Sequence, residues 1–271
     1  MDGIHEKKSR RRSLWNVLTA ICLVGLVISV AGTGWTLWCS NREEQAFREL
    51  VQITAAGEEQ KEMESVGGNE VQTEEKRFRA LQALNEDYVG WLRIDGTKVD
   101  YPVMHTPEDE QYYIHRDFYK EDSYSGTPFM GAGCDTDSQS IIIYAHNMNN
   151  GTMFGELDQY ADKSYWEAHP IILFDTLDEE GRYEEGQYEV AAAFQTRIYK
   201  EGEAGFRYYE YAGDLSEEKF KEFTDAFSRL SIYDTGVKVS SEDRLLMLST
   251  CSYHAEDGRF VVVAKKVFSD P

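Results

Sequence analysis

At 271 residues, with 41% hydrophobic and 13% aromatic side chains, the chain carries enough apolar material for a packed core. Its formal charge of −21 is unevenly spread: residues 1–13 hold five Lys/Arg against Asp2 and Glu6, a local +3, the 25 residues that follow hold none, and residues 39–271 are left with −24. A surface that acidic excludes nucleic acid as a partner, because phosphate binding needs basic residues, and it argues against adhesion to an anionic surface.

The basic cluster Lys7, Lys8, Arg10, Arg11 and Arg12 stands just before Leu14–Trp38, LWNVLTAICLVGLVISVAGTGWTLW. That uncharged run exceeds the roughly 20 residues a helix needs to cross a bilayer. Trp15, Trp35 and Trp38 lie where interfacial anchors belong, and the positive-inside rule keeps the N-terminus cytoplasmic with everything after residue 38 outside. A cleaved signal peptide is the rival reading, but the run is long for such a segment and GTGWTLWC is a poor cleavage site. The bulky Thr36-Leu37-Trp38 also counts against lipid attachment at Cys39. The expected organisation is a cytoplasmic tail at 1–13, a transmembrane anchor at 14–38, a polar stalk at 39–72 and an extracellular domain at 73–271.

From Thr73, TEEKRFRALQALNEDYVGWL predicts a short amphipathic helix capped by Thr73, with Phe78, Leu81 and Leu84 on one face. Strand-like pieces follow at Lys98–Met104, Thr127–Gly131, Ser140–His146, Ile171–Asp175, Tyr188–Tyr199, Gly236–Val239, Leu245–Cys251 and Arg259–Phe268. Their spacing, broken by turn-rich segments, predicts a mostly β fold, closed or sandwiched, with added helices. Phe154–Tyr160 and Ser164–Ala168 read as a short helical insertion. Ser216–Leu230 reads as a longer one, capped by Ser216 and burying Phe220, Phe223, Phe227 and Leu230.

Four cysteines make no disulfide framework, since Cys22 lies inside the apolar run and Cys39 at its edge. A bridge between Cys134 and Cys251 remains open as an alternative. Cys251 is the more informative of the two: it ends the apolar strand LLMLSTC, after which the loop HAEDG leads to an antiparallel return beginning at Arg259. A thiol at a strand end with a cation beside it is a candidate nucleophile. Arg244 enters at the far end of the same strand, about seven residues or roughly 23 Å away, too far for contact.

A thiol nucleophile needs a proton-transfer partner. His254 is three residues from Cys251 but sits in the outgoing loop; His105 and His115 lie in a polar stretch; His169 precedes Pro170. His146 follows the buried-strand run SIIIYA and precedes the turn cluster NMNNG, so it too leaves the sheet at a strand end. It meets Cys251 only if the two strands are neighbours, and a hydrogen-bonded turn histidine is the alternative. Arg259 is either a surface charge paired with Glu256 or Asp257, or a fork of donors for an oxyanion. There is no CxxC, no HExxH and no phosphate-binding glycine loop, so no metal and no cofactor is expected. The acidic runs read as solvated faces.

These residues resemble the sortases, and among them class B. LSTC at Leu248–Cys251 is similar to the TLxTC signature, departing from it at Met247 where threonine is usual. NEDYVGWLRIDGTKVDYPV at Asn85–Val103, YAHNMNNGTMFGEL at Tyr144–Leu157, IYDTGV at Ile232–Val237 and GRFVVVAK at Gly258–Lys265 extend the resemblance over about residues 73–268. The long helix before the cysteine strand is also like class B. The resemblance implies a closed sortase-type β-barrel, with Cys251 as nucleophile, His146 as general acid/base and Arg259 as oxyanion and substrate-backbone donor; the backbone N–H of Ser252 is expected to complete the oxyanion hole. It implies cleavage of a C-terminal sorting motif, NPxT-x or LPxT-G, after its threonine, and transfer of the thioacyl group to a peptidoglycan-precursor amine or a pilin lysine. The partners are then surface proteins bearing that motif, and the address is the outer face of a Gram-positive type cell membrane. A membrane-tethered β-domain that binds a cell-wall ligand without catalysis, with Cys251 a buried thiol, is the other reading.

Overall fold

The computed structural model describes residues 21–32, 34, 70–177, 181–200 and 202–267. The chain divides into two units, Met1–Glu49 and Leu50–Pro271. Of the first unit, residues 21–32 and 34 are described and helical, and Ile21, Val24, Val27 and Ile28 are more than half exposed. The basic tail, the rest of the expected anchor and most of the stalk lie outside the described residues. Among the described residues no helix is long and apolar enough to cross a membrane.

The second unit opens with helix α1, Glu70–Leu84. It starts ahead of Thr73, which lies inside the helix and not at its cap. Phe78 and Leu81, one turn apart on a single face, are fully buried, whereas Leu84, the last residue of the helix, is 55% exposed. Nine strands follow among the described residues: β1 Tyr88–Arg93, β2 Asp100–Met104, β3 Phe129–Met130, β4 Ser140–Tyr144, β5 Ile171–Leu177, β6 Tyr183–Glu184, β7 Gln187–Arg197, β8 Leu245–Cys251 and β9 Gly258–Val267. Eight of them close into a barrel in the order β1-β2-β3-β4-β8-β9-β7-β5, with β5 returning to β1, and β6 extends β5 outside the ring. Two pairings are parallel, β2–β3 and β4–β8; the others are antiparallel. Closure removes the exposed sheet edge. The middle of β8 and β9 is buried on both faces, which is why both read as unbroken apolar runs.

Two expected elements differ. Gly236–Val239 is irregular and forms no ladder; it lies beside β7, where a bulge between Val190 and Ala192 breaks the register. The carbonyl of Ala191 at that bulge accepts the Thr235 hydroxyl at 2.9 Å, so a side chain supplies the bond the missing strand would have made. Strand β1, by contrast, takes residues that continue a helical-looking segment. Helix α2, Lys163–Ala168, follows a 3-10 turn at Leu157–Ala161. Helix α3, Glu217–Leu230, has Ser216 as its N-cap, the hydroxyl accepting the Lys219 N–H at 3.3 Å, with Glu217 and Glu218 in the first turn and Arg229 in the last. It buries Phe220, Phe223 and Phe227, but Leu230 at its end is 41% exposed.

Candidate active site

Strands β4, β8 and β9 are consecutive in the barrel, and their registers assemble the site. In the parallel β4–β8 pair Tyr144 lies beside Ser249, so two residues further on His146 leaves the sheet level with Cys251. Neighbouring strands run about 4.8 Å apart. The two exits are laced together: Ala145 N–H donates to the Ser249 carbonyl at 3.3 Å, the Thr250 hydroxyl to the Ala145 carbonyl at 2.8 Å, and Asn147 Nδ2 to the Cys251 carbonyl at 2.9 Å. In the antiparallel β8–β9 pair Cys251 stands opposite Arg259. Six buried residues lead up to Cys251, which is exposed. The thiol therefore stands at the rim of the barrel with the histidine on one side and the arginine on the other.

Cys251 and Cys134 are both free thiols, which closes the disulfide alternative. Cys134 is buried against the Gly131 carbonyl, and burial pushes its thiol up to about 11, the pKa of an inert core cysteine. The His146 Nε2 is 2.8 Å from the Ile114 carbonyl. A carbonyl can only accept, so Nε2 carries the proton and the neutral ring keeps its lone pair on Nδ1. Burial holds the imidazole below its ordinary pKa, the Ile114 carbonyl works against that, and the charge of His115 adds to it. Among the described residues Arg259 makes no ion pair; Nη1 donates to the carbonyls of Gly258 at 2.9 Å and Asp257 at 3.4 Å, leaving the rest of the fork unspent. The surface pairing with Glu256 or Asp257 is not formed.

The Ser252 N–H is a correction. It donates to the Gly258 carbonyl at 2.9 Å, closing the β8–β9 loop, and a donor so engaged is not aimed at an oxyanion. Gly258 is required at that closure, because a Cβ there would lie 2.2 Å from the Ser252 oxygen. His254 bonds the Ser252 hydroxyl at 2.9 Å within the same loop. Arg244 sits at the other end of β8, 3.9 Å from Glu184.

Three neighbours were not singled out from sequence. Ser249 shares the face of Cys251 two residues before it, and its hydroxyl is 2.7 Å from that of Tyr208. Burial pushes Tyr208 up to about 12, against the Ser249 hydrogen bond and the Arg259 cation, with Cys251 a further raising influence. Tyr144, beside Ser249, is likewise raised by burial. Period-two alternation back from Cys251 points to Ser249; nothing local points to Tyr208, 41 residues earlier. Among the described residues no group of three or more His, Cys, Asp or Glu side chains comes together as a metal site.

The arrangement can carry out acyl transfer through a thiol, with a base and a charged donor beside it. Comparison with known proteins agrees with it. The Sortase domain model matches residues 92–267. Sortase B of Listeria monocytogenes serovar 1/2a is 33% identical over 194 residues, covering 70% of this chain and 74% of that protein. Among solved structures, a Staphylococcus aureus sortase B–substrate complex superposes with a TM-score of 0.70 at 28% identity, covering 85% of this chain and 99% of that one. A sortase B complexed with Gly3 gives 0.69 at 28% identity, covering 85% and 100%. The chain thus belongs to the sortase family, and it is a class B sortase, a cysteine transpeptidase of the cell-wall anchoring kind.

Proposed function

We propose that this sortase cleaves a C-terminal sorting motif of the NPxT-x or LPxT-G type after its threonine and transfers the threonyl group to an amine of a peptidoglycan precursor or to a pilin lysine. Cys251 Sγ attacks the threonine carbonyl as its proton passes to Nδ1 of His146, and the oxyanion that forms is met by the free donors of Arg259. Collapse breaks the C–N bond; His146 gives a proton to the leaving amine and a thioester remains. The incoming amine attacks that thioester, His146 takes its proton, and the thiolate leaves as a new amide forms. The observation that carries this reading is the pair of registers that sets His146 and Arg259 on either side of Cys251. A sortase B bound to substrate and one bound to Gly3 support a peptide donor and an amine acceptor.

The anchor belongs to the same proposal. Residues 14–38 hold the enzyme in the membrane with residues 1–13 cytoplasmic, 39–72 as a stalk and 73–271 outside, so that enzyme, sorting signal and lipid-linked acceptor meet at the outer membrane face. The uncharged sequence of the run and the exposed apolar helix at 21–32 support it. The test is Cys251→Ala against NPxT- and LPxT-containing peptides with triglycine as acceptor. Both cleavage and ligation are expected to vanish, and turnover by the variant would remove Cys251 as nucleophile.

A further inference from the structure

The imidazole of His146 is gripped by one turn of chain that belongs to none of the catalytic strands. Its Nε2–H goes to the Ile114 carbonyl at 2.8 Å, and the next residue, His115, lays its ring along the same imidazole, with centroids 5.3 Å apart and planes 27° from parallel. Edge and face are thus taken by consecutive residues of the 3-10 turn Tyr112–His115. That turn is fastened from below. Tyr113 is fully buried; its hydroxyl donates to the Asp87 carboxylate at 2.7 Å and accepts from Asn85 Nδ2 at 2.8 Å. The carbonyl of Tyr113 accepts the Thr127 N–H at 3.1 Å and that of His115 the Ser123 N–H at 3.0 Å. Gly126, at φ +63°, lets the 123–127 loop close on the turn: a Cβ there would meet the Ile114 oxygen at 2.4 Å and the Tyr113 oxygen at 2.6 Å. His115 itself is exposed, so its ring contributes little to the core.

We propose that His115 is a positioning residue for the transfer reaction, its ring holding the His146 imidazole in the Nε2–H tautomer so that Nδ1 stays available for proton exchange with Cys251. This rests on the reading of His146 as the proton-transfer group. One hydrogen bond to a carbonyl leaves a ring free to rock about that bond; a second flat group against its face removes the freedom. The charged and titratable groups around the pair are few. Cys251 and Arg259 come from β8 and β9, while Arg116 follows His115 and reaches Asp122 at 3.9 Å. A cationic His115 opposes a cationic His146, so removing the His115 imidazole moves the His146 titration upward.

The test uses His115→Ala and His115→Phe in the full-length chain, with His146→Ala beside them. Each is read by ¹⁵N-histidine NMR, which reports tautomer and titration without substrate, and by steady-state cleavage of a peptide the parent enzyme turns over. In His115→Ala the His146 tautomers mix and kcat falls about tenfold with KM within about twofold. In His115→Phe the flat ring is restored, kcat stays within about twofold, and the His146 midpoint rises. A pure Nε2–H signal together with parental kcat in His115→Ala overturns the proposal. Should that variant fail to fold, His115→Leu, which has no flat ring, takes its place, and a pure Nε2–H signal with parental kcat there overturns the proposal instead. Activity in His146→Ala strikes the reading beneath it, a separate outcome.

Discussion

Arg259 stands directly across from Cys251, and side chains of such cross-strand pairs have Cβ atoms about 4.5–5.5 Å apart. Only Nη1 is committed to the backbone, so the guanidinium offers a planar set of remaining donors at a fixed place. Lysine would keep the charge and lose that plane. Arg259→Lys is therefore expected to lower kcat/KM by about 10²-fold with the fold intact, measured by steady-state peptide cleavage and circular dichroism; a loss of under threefold would reduce Arg259 to a surface charge. The three residues proposed for the chemistry were legible one at a time, from a thiol and a histidine each ending an apolar run and an arginine beginning the return. Their meeting was not, because the β4–β8 register is a tertiary fact about strands a hundred residues apart. The Ser252 donor fails for a similar reason: a neighbour in sequence to the nucleophile was expected to serve it, and the turn that closes on Gly258 uses its N–H first.

At the level of elements, α3 shows how a surface helix is tied to the barrel. Phe223 stacks on Tyr211 with centroids 4.9 Å apart and planes 12° from parallel, meets Phe227 edge-on at 5.1 Å, and is fully buried. Phe223→Ala is expected to cost about 3–5 kcal/mol in urea unfolding, since the Tyr211 and Phe227 rings are held in separate elements and cannot collapse into the gap. A cost below about 1 kcal/mol would mean that the helix is held by something else. The helix was readable from its cap and its aromatic spacing, but the spacing carried one residue too far: Leu230 keeps the period and yet sits where the helix leaves the barrel. Strand β1 was hidden in the opposite way. Tyr88–Arg93 follows α1 after only a short turn, and its burial runs nearly unbroken in place of the alternation that marks a half-exposed strand. At Gly236–Val239 the local β-propensity was real, but the Ala191 carbonyl at the β7 bulge is met by a hydroxyl, and no ladder remains to be made.

On the scale of the whole molecule, α1 belongs to the folded domain, because Phe78 and Leu81 are fully buried. Under the proposed anchoring, deleting residues 1–38 leaves the protein in the soluble fraction and the full chain in the membrane, while peptide cleavage persists. Deleting residues 1–84 removes both buried side chains and should lower the melting temperature by at least about 5 °C. Cell fractionation and thermal unfolding of the two truncations read these outcomes, and retention of the first truncation in the membrane would place the attachment elsewhere. The parallel β4–β8 pairing has one more consequence. Residues 145–244 connect β4 to β8 and supply β5 and β7 to the barrel on the way, yet the thiol and the histidine are aligned by the ladder between β4 and β8 and not by the chain that connects them. That hundred-residue connection holds α3, the Tyr208 segment and β5, β6 and β7, of which β5 and β7 are part of the ring. The ladder acts like the fixed jaw of a vice, keeping the two strand exits in line whatever length of chain is looped between them.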